Sequence, residues 1–318
     1  MKNRKKTKIS AAVLLTGLLI FLTACGGQNG KIRFGTADPG GVYYSFGLTF
    51  AEYLEADLGM NVDVKNTNGS AANIRLLSED YIQLGLAQSD MIAELKESDY
   101  SEGYSAVAGL YTEACQFVVR EDSGIDSIDD LSGLRVNVGE EESGSVWNAM
   151  EILAVYGLNE YLVDMHFLDY TEASEALEAG EIDAFFCTAG VQTEVIEELA
   201  QKIGIKLLPV GEDEAEAVAK FSDYYTSYTI PAGTYTGQDS DVQTIGVRVV
   251  LLARDDLSSD TVRKVTECLF SHAGELEKAL PLQIELTAEN AVEGIPLRFH
   301  KGAAEYYAEK GVAVSTGQ

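Results

Sequence analysis

Apolar and polar positions follow two alternating patterns along the chain from residue 31 onward. Short apolar runs predict buried strands, whereas longer segments with apolar residues three or four positions apart predict amphipathic helices. The segment 42–58 shows the helical pattern most clearly, because five large side chains recur on one face: Phe46, Phe50, Tyr53, Leu54 and Leu58. Strands and helices alternate over 31–87, and this order predicts a parallel sheet covered by helices on both faces.

The same alternation recurs in a second set of elements. The first set comprises strands at 31–35, 62–66 and 82–87 and helices at 42–58 and 70–78. The second set comprises strands at 116–120, 135–138, 165–168, 182–186 and 206–210 and helices at 126–131, 146–156, 173–179 and 191–202; a strand at 246–253 and further helices follow. Two such sets predict an α/β protein of two lobes. We assign 31–113 and 230–318 to lobe 1 and 114–229 to lobe 2, with hinges at 114–120 and 228–247.

The first 25 residues have the features of a bacterial lipoprotein leader. Five basic residues within 2–8 precede an apolar run over 9–22, which is shorter than the roughly 20 apolar residues that a membrane-spanning helix needs. The run ends in Leu22-Thr23-Ala24-Cys25, a match to the lipobox, in which cleavage before the cysteine exposes the lipid attachment point. We therefore predict a signal peptide at 1–24, a membrane lipid on Cys25, a tether at 25–30 and an extracytoplasmic location.

Charge and cysteine content exclude several classes of function. The net charge of −28 becomes −33 once the five basic residues of the leader are removed, and such a chain repels nucleic acid. The cysteines beyond the leader, Cys115, Cys187 and Cys268, are odd in number and lie in apolar surroundings. We predict that they are small buried side chains rather than a disulfide framework or a metal site. No cofactor is indicated.

Three glycine- or serine-rich loops precede predicted helices. They are Gly35–Tyr44, Asn68–Asn73 and Gly139–Ser145, and Gln88-Ser89-Asp90 and Thr188-Ala189-Gly190 end neighbouring strands. Unpaired N–H groups at helix starts bind anions, and ligands of doubly wound sheets lie beyond the carboxyl ends of the strands. The first two loops also have a purely structural interpretation: a tight turn at Gly40 in the first, and a helix cap at Ser70 with a structural amide at Asn73 in the second.

The chain has no recognisable catalytic constellation. Its three histidines, His166, His272 and His300, are scattered, and neither an HExxH nor a GxSxG motif occurs. Carboxylates are so abundant that any pair of them is weak evidence for acid–base chemistry. A binding protein is therefore favoured over an enzyme or a sensory module on the same fold.

Several segments together resemble one family of receptors. They are Gly35–Tyr44, Asn68–Leu77, Leu84–Asp90, Val118–Ile125, Asp130–Gly133 and Ile230–Asp241. In these the chain is similar to the TAXI family, the solute receptors of one branch of the tripartite ATP-independent periplasmic (TRAP) transporters, over essentially 31–310. The resemblance implies a type II periplasmic-binding-protein fold with two doubly wound lobes around a ligand cleft. It also implies delivery of glutamate, glutamine or a related carboxylate to a permease driven by an ion gradient.

The resemblance assigns eleven residues to the ligand site. They are Thr36, Gly40, Tyr43, Tyr44, Ser70, Asn73, Gln88, Ser89, Ser143, Ser145 and Tyr235. One departure stands out: the family often has Gly-x-Pro-Gly-Ser-Gly-Thr where this chain has Gly139-Glu-Glu-Glu-Ser-Gly-Ser145. The three glutamates would either repel an anion or point to solvent. We predict a small carboxylate or an amino acid as ligand, and keep an ATP-driven importer as the alternative to the TRAP permease.

Overall fold

The computed structural model of the chain describes residues 31–280 and 286–317. The predicted signal peptide, the lipobox and the lipid on Cys25 lie outside these residues. Within the described part of the chain, every helix is too short or too polar to cross a membrane.

The described residues form ten strands and ten α-helices. The strands are β1 (Ile32–Gly35), β2 (Val62–Lys65), β3 (Leu84–Gln88), β4 (Tyr104–Arg120), β5 (Arg135–Asn137), β6 (Asp164–His166), β7 (Ala184–Ala189), β8 (Ile205–Leu208), β9 (Tyr225–Ile230) and β10 (Val242–Arg254). The helices are α1 (Val42–Leu58), α2 (Ser70–Ser78), α3 (Ser89–Glu94), α4 (Gly144–Val155), α5 (Tyr170–Ala179), α6 (Glu194–Lys202), α7 (Glu212–Val218), α8 (Ser259–Ser271), α9 (Ala273–Ala279) and α10 (Lys301–Glu309). The predicted bounds of α1 and α2 are confirmed.

Local sequence explains where the helices nearest the cleft begin and end. The Ser143 side chain accepts a hydrogen bond from the Val146 backbone N–H, which satisfies one of the unpaired donors at the start of α4. The Asp169 side chain caps α5 in the same way, with Glu172 N–H as the donor. Helix α1 ends at Gly59, whose φ of 62° lies in the left-handed region that favours glycine.

One sheet connects the strands in the order β2-β1-β3-β10-β4-β7-β5-β6, with β8 paired to β4 and β9 to β10. The outer pairs β1–β2, β1–β3, β5–β6 and β5–β7 are parallel, whereas the long central strands β4 and β10 are antiparallel to each other. The predicted α/β fold with parallel strands under helices is therefore confirmed at both ends of the sheet. The central strands join the two ends.

The central part of the sheet departs from the prediction. We predicted a strand at 116–120, but β4 spans Tyr104–Arg120 and is buried along nearly its whole length. A strand buried on both faces has no alternation of polar and apolar residues, so its first half carries no strand-specific pattern. Strand β9 escaped prediction for the opposite reason, because its central residues are largely exposed and polar. Helix α3 was also not predicted.

Three apolar clusters form the core. The first contains Tyr111 of β4 and Val249 of β10, together with α1, α2, α8 and α10. The other two contain Ala114 and Val247 from the same strands and the elements between β5 and β9. Residues Ile230, Tyr235 and Val242 belong to the latter clusters, although we had assigned the chain from 230 onward to lobe 1. Along β4, the side chains therefore pass from the first cluster to the other two between residues 111 and 114, and along β10 they pass back between 247 and 249. The division into lobes and hinges stays a prediction.

Candidate functional site

A small cavity lies where the carboxyl ends of several strands meet the starts of α1, α2 and α4. Its volume is about 40 Å³, room for roughly three water molecules at about 10–15 Å³ each. Its walls come from both ends of the sheet. The lining residues are Ala37, Asp38, Gly41, Val42, Tyr43, Asn68, Gly69, Ser70, Gln88, Glu113, Glu140, Ser143, Gly144, Ser145, Tyr170, Thr188 and Ala189.

Three of the predicted residues form the first wall. The Tyr43 hydroxyl lies 3.4 Å from Ser70 Oγ, and the same Oγ accepts a hydrogen bond of 3.1 Å from the Gln88 backbone N–H. These contacts tie α1, α2 and β3 together at the cavity. Gln88 is only 2% exposed, and its side-chain Oε1 has no hydrogen-bond partner among the described residues. The first wall therefore contains a buried acceptor without a partner in the described part of the chain.

The second wall is a chain of hydroxyl groups. Ser145 Oγ lies 2.6 Å from the Tyr170 hydroxyl and accepts a hydrogen bond of 3.1 Å from the Thr188 N–H. The Tyr170 hydroxyl donates to the Thr188 carbonyl oxygen at 3.0 Å. These bonds fix the start of α4 against β7 and α5 through hydroxyl and backbone groups.

The two walls approach each other closely at one glycine. A Cβ placed on Gly144, the first residue of α4, would overlap the side-chain amide of Gln88 on the opposite wall. Gly69 at the start of α2 adopts a φ of 108° and lies opposite Ser143. Backbone of one wall thus lies directly against a side chain of the other, and any larger residue at position 144 requires the Gln88 amide to move.

Polar contacts also join the two sides along the rim of the cavity. Asn68 Nδ2 donates to the Glu141 carbonyl oxygen at 3.2 Å, and the Ala72 N–H donates to the Glu142 carbonyl oxygen at 3.1 Å. The Arg75 guanidinium makes two bonds to the Glu142 carboxylate, at 3.0 and 2.9 Å. Glu142 itself has a positive φ of 62°. Of the three consecutive glutamates, two therefore lie at the rim, and only Glu140 lines the cavity.

Carboxyl groups are the ionisable groups that distinguish the cavity. Burial raises the pKa of Glu113 to about 8, and hydrogen bonds from Gln88 and Tyr43 offset part of this effect. Burial, with the neighbouring charge of Asp38, raises the pKa of Glu140 to about 7. The pKa of Asp38 is also raised by burial, while the Gly40 N–H, donating at 2.7 Å, opposes the shift. The described lining contains no lysine, arginine or histidine.

The structure brings five of the eleven predicted residues together at the cavity. These are Tyr43, Ser70, Gln88, Ser143 and Ser145. The other six do not line it: Thr36, Gly40, Tyr44, Asn73, Ser89 and Tyr235. The assignment of all eleven as ligand contacts stays a prediction.

Three of the six other residues have their polar groups bonded within the fold. Asn73 Nδ2 donates to the carbonyl oxygens of Thr36 and Leu86 at 2.7 and 2.8 Å, which ties α2 to β1 and β3. The Thr36 hydroxyl donates to a backbone carbonyl of β2. The Tyr235 hydroxyl donates to Gln116 Oε1 at 2.7 Å inside a core cluster. These bonds support the structural interpretation of Asn73 and give Thr36 and Tyr235 structural roles.

Glu113 and Tyr170 line the cavity but were not predicted. Glu113 is the single charged residue between Tyr104 and Val119, and an acid within so long an apolar run is a signal that could have identified it. Tyr170 begins a helix in an acidic surface segment, and nothing in that pattern distinguishes it from a solvent-facing residue.

A second buried carboxyl lies near the cavity but does not line it. Asp90, 2% exposed, accepts hydrogen bonds from Asn148 Nδ2 at 2.6 Å and from the Tyr225 hydroxyl at 3.1 Å. The Tyr225 hydroxyl also bonds to Glu151, and Asn148 Oδ1 accepts from the Thr188 hydroxyl at 2.8 Å. Burial raises the pKa of Asp90 to about 6 and that of Glu151 to about 7.

The cysteines fit their predicted role. Cys115, Cys187 and Cys268 are buried and unpaired. Among the described residues, one group, Asp57, Cys268 and His272, has ligand atoms close enough to hold a metal ion. The His272 ring stacks on Tyr53 with centroids 4.0 Å apart, and its Nε2 lies 2.8 Å from Asp57 Oδ2. These contacts already account for the group as a surface ion pair.

Residues 34–311 match the model of the NMT1-like family. Three solved structures share the fold. An ancestral arginine-binding protein bound to arginine is 17% identical, with 79% of this chain and 96% of that chain covered and a TM-score of 0.51. A putative L-cystine ABC transporter from Listeria monocytogenes is 15% identical, with 78% and 93% covered and a TM-score of 0.51. The GluR0 ligand-binding core in complex with L-glutamate is 13% identical, with 80% and 100% covered and a TM-score of 0.51.

These likenesses establish the architecture. The predicted type II periplasmic-binding-protein fold is confirmed.

Proposed function

Since the chain belongs to the NMT1-like family and has the type II periplasmic-binding-protein fold, we propose that it is an extracytoplasmic solute receptor. One observation supports this most strongly: the cavity at the carboxyl ends of the strands is lined from both ends of the sheet. A ligand held there touches both walls, so its binding free energy depends on how the walls sit relative to each other. That dependence is what a receptor needs to report occupancy to a transporter.

The ligand class that we propose is a small carboxylate or an amino acid such as glutamate. The starts of α1, α2 and α4 border the cavity and offer backbone N–H groups for a carboxylate. Tyr43 and Tyr170 add apolar surface and hydroxyl groups. The solved structures with the same fold include one with arginine and one with L-glutamate.

Binding requires the two walls to separate. A cavity of about 40 Å³ is smaller than any amino acid, and the walls contact each other at Gly144 and along the rim. We propose that β4 and β10 bend where their side chains pass from one core cluster to another, near residues 111–114 and 247–249, as in hinge closure around a ligand. The rim bonds of Asn68, Ala72 and Arg75 then break on opening and form again on closure.

The proposed partner is the integral-membrane permease of a TRAP transporter. This rests on the resemblance of the loops to the TAXI receptors. The alternative is an ATP-driven importer, which the L-cystine transporter with the same fold favours. Uptake of the ligand by cells separates the two: abolition by dissipating the ion gradient at constant ATP indicates the TRAP permease, whereas abolition by ATP depletion at constant gradient indicates the importer.

We propose that Cys25 carries the lipid that holds the receptor at the membrane, because Leu22–Cys25 is a complete lipobox. Attached acyl chains contribute about 0.8 kcal/mol for each buried methylene group. Cys25→Ser should move the protein from the membrane fraction to the soluble fraction. Unchanged fractionation would contradict the assignment.

The receptor function is tested by calorimetry on the purified protein with amino acids and small carboxylates. We expect at least one of them to bind, and a neutral sugar panel to give no signal. Gly144→Leu should abolish binding because its side chain collides with Gln88 on the opposite wall. Gly274→Leu is the matched control, since Gly274 is a helical glycine with no neighbouring atoms around its Cβ position. Equal binding by both variants would place the ligand elsewhere.

A further inference from the structure

We propose that the ligand of this cavity carries a positively charged amino group, and that Glu113 is the side chain that binds it. The inference rests on the proposed receptor function and narrows its ligand class. It selects amino acids and amines over carboxylates that lack an amino group.

Glu113 occupies the point where the chain crosses from one end of the sheet to the other. It lies on β4 opposite Val247 of β10, lines the cavity and is 2% exposed. Its carboxyl group accepts a hydrogen bond of 3.3 Å from Gln88 Nε2. A buried carboxylate is stable only when it is paired with a positive charge or with several donors. Among the described residues, only the neutral donors Gln88 and Tyr43 bond to Glu113.

Among the described residues, the groups that face Glu113 supply no positive charge. The ionisable groups that interact with it electrostatically are Tyr43, Asp90, Tyr111, Cys115, Tyr170 and Cys187. Each of them is neutral or negative at every pH. The described cavity lining also lacks lysine, arginine and histidine, so a positive partner for the ionised form of Glu113 has to come from the ligand.

The cavity offers acceptors that match an ammonium group. An ammonium group has three N–H donors and no acceptor. Beside the Glu113 carboxyl group lies Gln88, whose Nε2 is directed to Glu113 and whose buried Oε1 has no partner among the described residues. Glu140 adds a further carboxyl group at the same cavity. A carboxylate ligand alone would leave the Gln88 acceptor unsatisfied and would face two acids.

Binding of an ammonium group has a consequence for protons. With its pKa at about 8, Glu113 is protonated at pH 7. A neighbouring positive charge favours the ionised form, so the carboxyl group gives its proton to solvent as the ligand binds. Affinity should therefore rise with pH between 6 and 8, by at most about tenfold per unit for one released proton. A ligand bound only through carboxylates has the opposite dependence, because ionisation of Glu113 and Glu140 repels it.

Paired probes with matched carbon skeletons test the inference on the unmodified protein. L-Glutamate and 2-oxoglutarate differ by the exchange of an ammonium-bearing carbon for a keto group. L-Aspartate and oxaloacetate form a second pair, and the other amino acids and putrescine complete the panel. Calorimetry at pH 6, 7 and 8, in two buffers of different ionisation enthalpy, measures affinity and proton release together. We expect an amine-bearing ligand to bind at least tenfold tighter than its matched partner and to release up to one proton.

Two isosteric variants assign the proton to its residue. Glu113→Gln should weaken binding of the amine-bearing ligand by about ten- to a hundredfold, since a bond to a charged group is lost. It should also remove the part of the pH dependence that belongs to Glu113, and leave the smaller part that belongs to Glu140. Glu151→Gln is the matched control: its carboxyl group also has a raised pKa but lies outside the cavity lining, so affinity and proton release should persist. Circular dichroism checks that both variants fold. If either variant does not fold, the paired probes on the unmodified protein test the inference by themselves.

The outcomes separate this inference from the receptor function. Equal or tighter binding of 2-oxoglutarate or oxaloacetate, or affinity that falls as pH rises, overturns the role of Glu113 and leaves a solute receptor. Absence of binding by every amine, amino acid and carboxylate of the panel overturns both.

Discussion

Asp90 and Glu113 are two buried carboxyl groups in one molecule, each 2% exposed, yet their surroundings differ. Asp90 accepts from Asn148 and Tyr225 and lies in the first turn of α3, near its backbone donors. Glu113 faces a cavity, and among the described residues it accepts hydrogen bonds from Gln88 and Tyr43 alone. The pKa is raised to about 6 in the first case and to about 8 in the second.

The comparison shows that burial alone does not set the character of a carboxyl group. Donors from the protein stabilise the ionised form of Asp90 and make it part of a structural network that joins α3, α4 and β9. Glu113 lacks such donors on its cavity side, so its ionised form needs a partner from outside the fold. A buried acid with few internal donors beside a cavity is therefore a better sign of a binding site than burial or pKa taken singly.

The largest effect is expected from breaking the Asp90 network. Asn148 is fully buried, and Asn148→Ala removes a donor to Asp90 and the acceptor of the Thr188 hydroxyl. Because buried polar groups then lack partners, we expect the free energy of unfolding to fall by about 3 kcal/mol. Urea unfolding measures this change. Asn61→Ala, at an exposed side chain, is the control and should stay within about 0.5 kcal/mol. A loss below about 1 kcal/mol for Asn148→Ala would contradict a structural network.

An intermediate effect is expected in the pH dependence of stability. The folded pKa values of Asp90 and Glu113 are raised above their unfolded values, so between those values the folded state binds more protons and stability falls as pH rises. For Asp90 this window ends at about pH 6, and for Glu113 at about pH 8. Thermal unfolding should show a melting temperature that decreases from pH 5 to pH 8.

The two variants separate these contributions. Glu113→Gln should flatten the decrease between pH 7 and 8, whereas Asp90→Asn should leave that part of the curve unchanged. Identical curves for the two variants would remove the distinction between the two acids.

The smallest effect is expected at the rim. Arg75 and Glu142 form an ion pair whose side chains are 28% and 48% exposed, so solvent screens their attraction. A double-mutant cycle with Arg75→Ala and Glu142→Ala should give a coupling energy of about 0.2–1 kcal/mol in urea unfolding. A coupling above about 2 kcal/mol would mean that the rim, and not the buried network, holds the two sides together.

Much of the architecture was predictable because it rests on periodicity. The apolar face of α1 and the alternation of strands and helices predicted the α/β fold. The positions of glycine and serine before helices predicted three loops that do border the cavity. Local sequence specifies these features, because each depends on residues within one turn or one helix.

The chemistry of the cavity was less predictable because it depends on long-range contacts. The sequence leaves Asn73 open to a ligand role and a structural role, and the bonds of its side chain to the Thr36 and Leu86 carbonyl oxygens, which support the structural role, join residues far apart in the chain. Glu113 was not predicted because β4 has no strand pattern before residue 116, where the predicted strand began. Its proximity to Gln88 follows only from the pairing of β4 and β3 with β10. The sequence does not distinguish the three glutamates before α4 from one another. Their different positions, Glu140 in the cavity lining and its two neighbours at the rim, follow from the fold.

The absence of a side chain at Gly144 determines how this site can change in evolution or in the laboratory. Any larger residue there displaces the Gln88 amide, so the two positions constrain each other although they lie 56 residues apart. A substitution of Gln88 by a shorter residue would have to come first, and a side chain at 144 could then be introduced without passing through an unstable variant. Reshaping the site for a different solute therefore starts at position 88, and libraries that vary 144 alone should return mainly glycine.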